Sequence, residues 1–235
     1  MLTMKRFILL ILGIAGSMLM VWALQESVQS TLTKEAFASA QVPPTPAGIT
    51  LPVTVPGTTL LAKQLSAYEG PFLEDGSGRE VVDIAALHIY NTGDREVRNA
   101  CITLQMEKDS YVFYGEHIPV GATVVLLEIH AGAYQQSAIK DCSGWQETTD
   151  QKQVEGLFIT DKDNGTLVVT NTSDRTLHNL RLYYKSWLSP PDVYMGGITH
   201  CVTIPMLTPG QTEMLCPDRY ATGYSKVVSV VEDPS

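Results

Sequence analysis

Histidine, cysteine and the acidic residues are the side chains of this chain best suited to chemistry, and their spacing brings few of them together. His88, His117, His130, His178 and His200 are scattered. None stands four residues from another, and none lies beside a second ligand type at a zinc-like spacing. Glu128 and His130, two apart, would share one face of a strand and offer a surface metal pair, against the simpler reading of a solvated strand face. Asp161-Lys-Asp163-Asn-Gly165 has some of the acids of a calcium loop, but the spacing fails because that loop needs a Glu six residues beyond its glycine. Asn164-Gly165 therefore reads as a hairpin turn. The sequence has no Gly-x-Ser-x-Gly elbow, no phosphate loop and no His-Glu-x-x-His, so no enzyme activity, cofactor or metal is expected.

Four cysteines remain: Cys101, Cys142, Cys201 and Cys216. An even count on an exported chain predicts two disulfides, although four cysteines allow three connectivities. Cys201 and Cys216 flank Thr208-Pro209-Gly210 almost symmetrically, so a hairpin there would bring them opposite each other. Cys101 and Cys142 then pair by elimination. None of the four forms a Cys-x-x-Cys.

Binding is the other chemistry to consider. Trp187, Pro190, Pro191 and Tyr194 fall in one segment between strand-like runs, and Tyr111, Phe113 and Tyr114 form its counterpart upstream. Loops on a rigid scaffold are where recognition is usually placed, so these residues are expected to contact a protein or glycan. The alternative is that the aromatics cap the ends of the cores. Asp94-Arg95 and Asp174-Arg175 are read as turn-holding pairs facing water. Asn164-Gly-Thr166 and Asn171-Thr-Ser173 fit a glycosylation pattern.

The elements that would position these residues are repeated. Asn91-Thr-Gly-Asp-Arg-Glu-Val-Arg-Asn99 returns eighty residues later as Asn171-Thr-Ser-Asp-Arg-Thr-Leu-His-Asn179, identical at five of nine positions. The flanks agree in order: Glu69-Gly-Pro-Phe72 with Glu155-Gly-Leu-Phe158, Val112-Phe-Tyr-Gly115 with Val193-Tyr-Met-Gly196, and Gly121-Ala-Thr123 with Gly210-Gln-Thr212. Two copies of one domain follow, at 59–148 and 152–235. Each reads as strands: Ile84–Tyr90, Thr123–His130, Thr166–Thr170, Leu180–Lys185, Ile198–Met206 and Ser225–Val231 are β-branched or aromatic runs that stop at turn residues. Asn and Asp can bond their own backbone two residues on and Gly93 tolerates positive φ, so each Asn-Thr-x-Asp-Arg element should reverse the chain. The fold class expected is all-β, with two tandem antiparallel β-sandwich domains.

The strand ending in Asn-x-Gly-Asp, with the next strand a few residues later, resembles bacterial immunoglobulin-like sandwich modules of the cell-adhesion-related (CARDB-like) kind. That resemblance covers one turn per copy. It implies display or recognition, and it carries over no shared catalytic site.

Ahead of the copies, residues 1–6 are short and basic, and Phe7–Leu24 is a run of eighteen uncharged residues. Its helical length of about 27 Å matches a hydrocarbon core. Lys5 and Arg6 precede it and Glu26 follows, so the N-terminus should stay cytoplasmic and the body lie outside, on a single-pass signal anchor. Ala38-Ser39-Ala40 offers the competing reading of a cleaved leader. Residues 25–58 read as a disordered linker, with Pro43, Pro44, Pro46, Pro52 and Pro56 making it Pro-rich. A formal net charge of -9 excludes the basic field that nucleic acid requires. With 44% hydrophobic and 17% charged residues, the body can bury a core.

Overall fold

The computed structural model describes residues 48–233, which belong to one compact unit. The expected anchor, Phe7–Leu24, lies outside them. No helix among the described residues is long and apolar enough to cross a membrane.

Among those residues the fold is all-β, apart from one 3-10 turn at Asp163–Gly165. The strands of the first half are β1 (Val53–Thr54), β2 (Leu60–Pro71), β3 (Glu80–Asn91), β4 (Val97–Gln105), β5 (Ser110–Ile118), β6 (Thr123–Leu127) and β7 (Asp141–Thr148). Those of the second are β8 (Leu157–Lys162), β9 (Thr166–Asn171), β10 (Leu177–Leu188), β11 (Val193–Leu207), β12 (Thr212–Leu215) and β13 (Ser225–Glu232). Every β-rich run picked out by its composition falls in one of them, though β6 ends at Leu127 and does not reach His130. The expected linker carries structure from residue 48 on, since Ile49 bridges Ile139 and Val53–Thr54 pairs with β2.

Strand pairing follows one scheme twice. In the first half, β2-β3-β6 form one layer and β5-β4-β7 the other. In the second, β8-β9-β12 and β11-β10-β13 stand in the same relation. The layer β11-β10-β13 is not separate, because β11 pairs in parallel with β6, giving the seven-stranded order β1-β2-β3-β6-β11-β10-β13. One sheet therefore runs through both halves.

The repeated Asn explains why the scheme recurs. Asn91 and Asn171 are fully buried. Asn91 Nδ2 donates to the carbonyls of Arg95 (2.8 Å) and Ile118 (3.1 Å), and its Oδ1 accepts from Gly93 N (2.9 Å). Asn171 repeats this with Arg175 O and Leu207 O, both 2.8 Å, and Ser173 N at 2.9 Å. Its amide thus ties the turn to the end of β5 in one half and of β11 in the other, with every polar atom used. An Asn171 so enclosed is no acceptor for a glycan, whereas Asn164 lies exposed in its turn.

Between the layers, residues two apart on facing strands meet. Ala85, Leu87 and Ile89 of β3 face Ala100, Ile102 and Leu104 of β4, within a cluster of twenty buried residues. In the second half Val169, Leu180, Leu182, Ile204 and Leu207 do the same in a cluster of seven, with Leu167, Tyr184 and Tyr220 beside it. This period of two leaves one face of each strand for the core.

Candidate functional site

The aromatic residues expected to form recognition loops do not form one patch. Trp187 and Tyr194 are the last and first paired residues but one of the β10–β11 hairpin, and within the segment they bound only the tip, 189–192, with Pro190 and Pro191, is exposed. Tyr194 is buried in the core of the first half, and Trp187 packs against that core. Their rings meet edge-on at 4.8 Å, and Lys226 Nζ lies 4.0 Å from the Trp187 ring centroid. Tyr111 and Phe113 are also core residues, at 3% and 0% exposure, with the Tyr111 hydroxyl donating to Ala133 O (2.7 Å). Tyr114, half-buried, donates to Asn99 Oδ1 (2.9 Å). The apolar rings went inside because burying one is worth a few kcal/mol. What the hairpin engages first is therefore the other half of its own chain.

That contact is the junction, and its geometry is built from both copies. The parallel ladder between β6 and β11 has two pairs, Tyr194 with Val124 and Met195 with Val125. Beyond them the strands part, and the Glu74 carboxylate, on the β2–β3 connection, fills the fork. It accepts from Leu127 N (2.8 Å) and from Gly197 N (2.9 and 2.7 Å). Opposite, the fully buried Lys185 donates from Nζ to the carbonyls of Gly196 (3.1 Å), Gly197 (2.8 Å) and Ile198 (2.9 Å). All three ammonium protons are thereby used. Gly197 has to be glycine, since a Cβ there would sit 1.9 Å from Tyr114 O. After the fork β11 runs against β5, where Thr199 N donates to Glu116 Oε2 (3.0 Å).

Burial sets the electrostatics of the pair. It pushes the Glu74 carboxyl up to about 7, against the two backbone N–H donors and the Lys185 charge. It pulls Lys185 down to about 8, against the opposing pull of Glu74 and Glu116. Both shifts favour the neutral form, so desolvation outweighs attraction here.

A second polar contact joins the halves beside it. His117 of β5 stacks on Tyr183 of β10 at 3.9 Å and lies 2.6 Å from Glu96 Oε1. Gln153, between the copies, donates to Glu96 Oε2 (3.2 Å) and Ser229 Oγ (2.7 Å).

No family model, curated protein or solved structure matches this chain. The site therefore rests on its own geometry.

The expected bridges Cys201–Cys216 and Cys101–Cys142 are not formed, and all four cysteines are free. The chain does turn at Thr208–Gly210, but β12 pairs with β9 and not with β11, so Cys201 and Cys216 are not placed across a ladder. Cys101 lies opposite Trp145, and Cys142 opposite Leu104, three residues out of step. Glu128 is buried and accepts from His130 N (2.8 Å) and Gly132 N (2.7 Å), so it caps a turn and does not share a strand face with His130. Among the described residues, no group of three His, Cys, Asp or Glu is placed to hold a metal ion. Arg95 pairs with Asp150 at 2.6 Å and Arg175 with Glu232 at 2.7 Å, each reaching from the repeated turn to the end of its own copy. Little in the sequence points to Glu74 and Lys185; the one signal is a lysine closing a strand-like run with Gly196-Gly197 eleven residues on.

Proposed function

We propose that this chain is a membrane-anchored, extracytoplasmic display protein whose body is a duplicated immunoglobulin-like sandwich, acting by presenting surfaces to a protein or glycan and not by catalysis. The observation that carries this reading is the sheet shared through β6 and β11. It joins two copies of one pairing scheme into a single body, which suits holding exposed elements at fixed separation more than opening and closing around a substrate. The Asn-centred turn, present in both halves, supports the likeness to cell-adhesion-related modules. The exposed tip at Pro190 and Pro191 is the part of the expected recognition segment left to meet a ligand.

A second reading, an accessory subunit of a cell-envelope complex, is favoured by a different observation. Phe158 on β8 and Met214 on β12 are each 60% exposed, and they flank β9 in a three-stranded layer that stays separate from the seven-stranded sheet. Exposed large apolar side chains grouped on a sheet are a feature of assembly surfaces.

Cross-linking in cells followed by affinity recovery of the full chain tests both. A ligand cross-linked through the 189–192 tip supports display. Envelope proteins cross-linked through Phe158 or Met214 support the subunit reading, and recovery of neither from folded protein would contradict both.

A further inference from the structure

The fork between β6 and β11 has a property that the display reading does not use. In the register of the two existing pairs, the ladder would place Gly197 opposite Leu127 two steps on. Instead, the N–H groups of both residues point at the Glu74 carboxylate, and three carbonyls of the departing strand are taken by Lys185. Each half contributes one member: Glu74 comes from the first copy and Lys185 from the second. Residues 196–199 form an irregularity of the β10–β11 ladder opposite Lys185, and Glu74 and Lys185 together satisfy backbone groups that the two ladders leave unpaired there. Released from β6, β11 crosses to β5, where Thr199 N and Oγ1 donate to Glu116 Oε2 (3.0 Å) and Glu116 O (3.2 Å).

We propose that Glu74 and Lys185 are a wedge that stops the inter-half ladder after two pairs and thereby sets the angle at which the second half stands on the first. Their role is positional. Opposite charges placed in a dry junction often cost more in desolvation than their attraction returns, and replacing both can be neutral while removing one is not. Glu74 and Lys185 bind backbone groups and not each other, and burial acts against the charge on each. What the pair supplies is a unique arrangement. Without it the freed N–H and C=O groups can pair with each other by zipping β6 and β11 further, and the second half rotates.

The test is a distance between the halves in the full chain, measured by double electron–electron resonance. Spin labels are placed at Val82→Cys and Met214→Cys, exposed positions in either half, with the native cysteines replaced by alanine. The wedge predicts one narrow distribution for the parent and a distribution moved or broadened by about 3 Å or more, one strand step, in Glu74→Gln/Lys185→Met. An unchanged distribution in the folded double variant overturns the proposal. Should that variant fail to fold, Glu74→Gln, which keeps the side-chain shape, must still broaden the distribution, and a parent-like trace overturns it. The parent gives an independent readout: the amide protons of Leu127 and Gly197 should shift together with the titration of one carboxyl, and independent behaviour contradicts the fork.

Discussion

The two halves share a pairing scheme and a buried Asn, yet they are not equally self-sufficient. The first encloses a cluster of twenty buried residues, one of which, Tyr194, belongs to the second half. The second divides its interior into clusters of seven and three. The strand edges differ in the same sense. β6 of the first half is covered by β11, while its counterpart β12 ends its sheet with Met214 exposed. The same local rules thus produced one half completed by its neighbour and one half that ends the array. A repeated turn dictates topology, and what fills the core and covers the edge is decided copy by copy.

Substitutions can break that comparison. The largest effect is expected for Lys185→Met, which strands three carbonyls and the Glu74 charge at the junction; it should cost about 3–5 kcal/mol, measured by urea unfolding. Next is Tyr194→Ala, expected to cost about 3 kcal/mol. Its loss should appear as faster hydrogen exchange in β3 and β4 of the first half, although the residue belongs to the second. Asn91→Ala and Asn171→Ala should each cost about 2–3 kcal/mol, because each leaves two carbonyls and one N–H unpaired. Near-equal losses in thermal unfolding would sharpen the equivalence of the turns, and a large inequality would break it.

The pH dependence is of similar size. An acid held above its ordinary value resists ionisation in the folded state, so its contribution to stability grows as pH falls from about 7 toward the unfolded value of 4.5. That gain, about 3 kcal/mol, should disappear in Glu74→Gln. Lys185, held down to about 8, acts in the opposite sense above that pH. The least effect is expected for Arg95→Ala and Arg175→Ala, whose exposed pairs with Asp150 and Glu232 should cost less than about 1 kcal/mol each.

The strands and the repeated turn were legible in the sequence because both are local. β-branched runs stop at Asn-Thr-x-Asp-Arg, and the Asn bonds lie mostly within a few residues of it. Trp187 and Tyr194 were visible as an aromatic segment, but their destination was not, since it depends on a core assembled from strands about seventy to a hundred residues upstream. The junction was harder still. Glu74 meets Gly197 across 123 residues, and neither has a spacing that announces the other. The cysteine pairing failed for a related reason: symmetry about Thr208–Gly210 assumed that β11 and β12 pair, whereas the chain sends β12 to the other layer.

The halves form one body through the β6–β11 ladder and the Trp187–Tyr194 hairpin. Equilibrium urea unfolding of the full chain tests this directly, followed by amide exchange at Ile102 in the first half and Leu182 in the second, both fully buried. A single body unfolds in one transition, with the same midpoint and the same dependence on urea at both positions. Two separated transitions, with Leu182 exchanging while Ile102 stays protected, would contradict it.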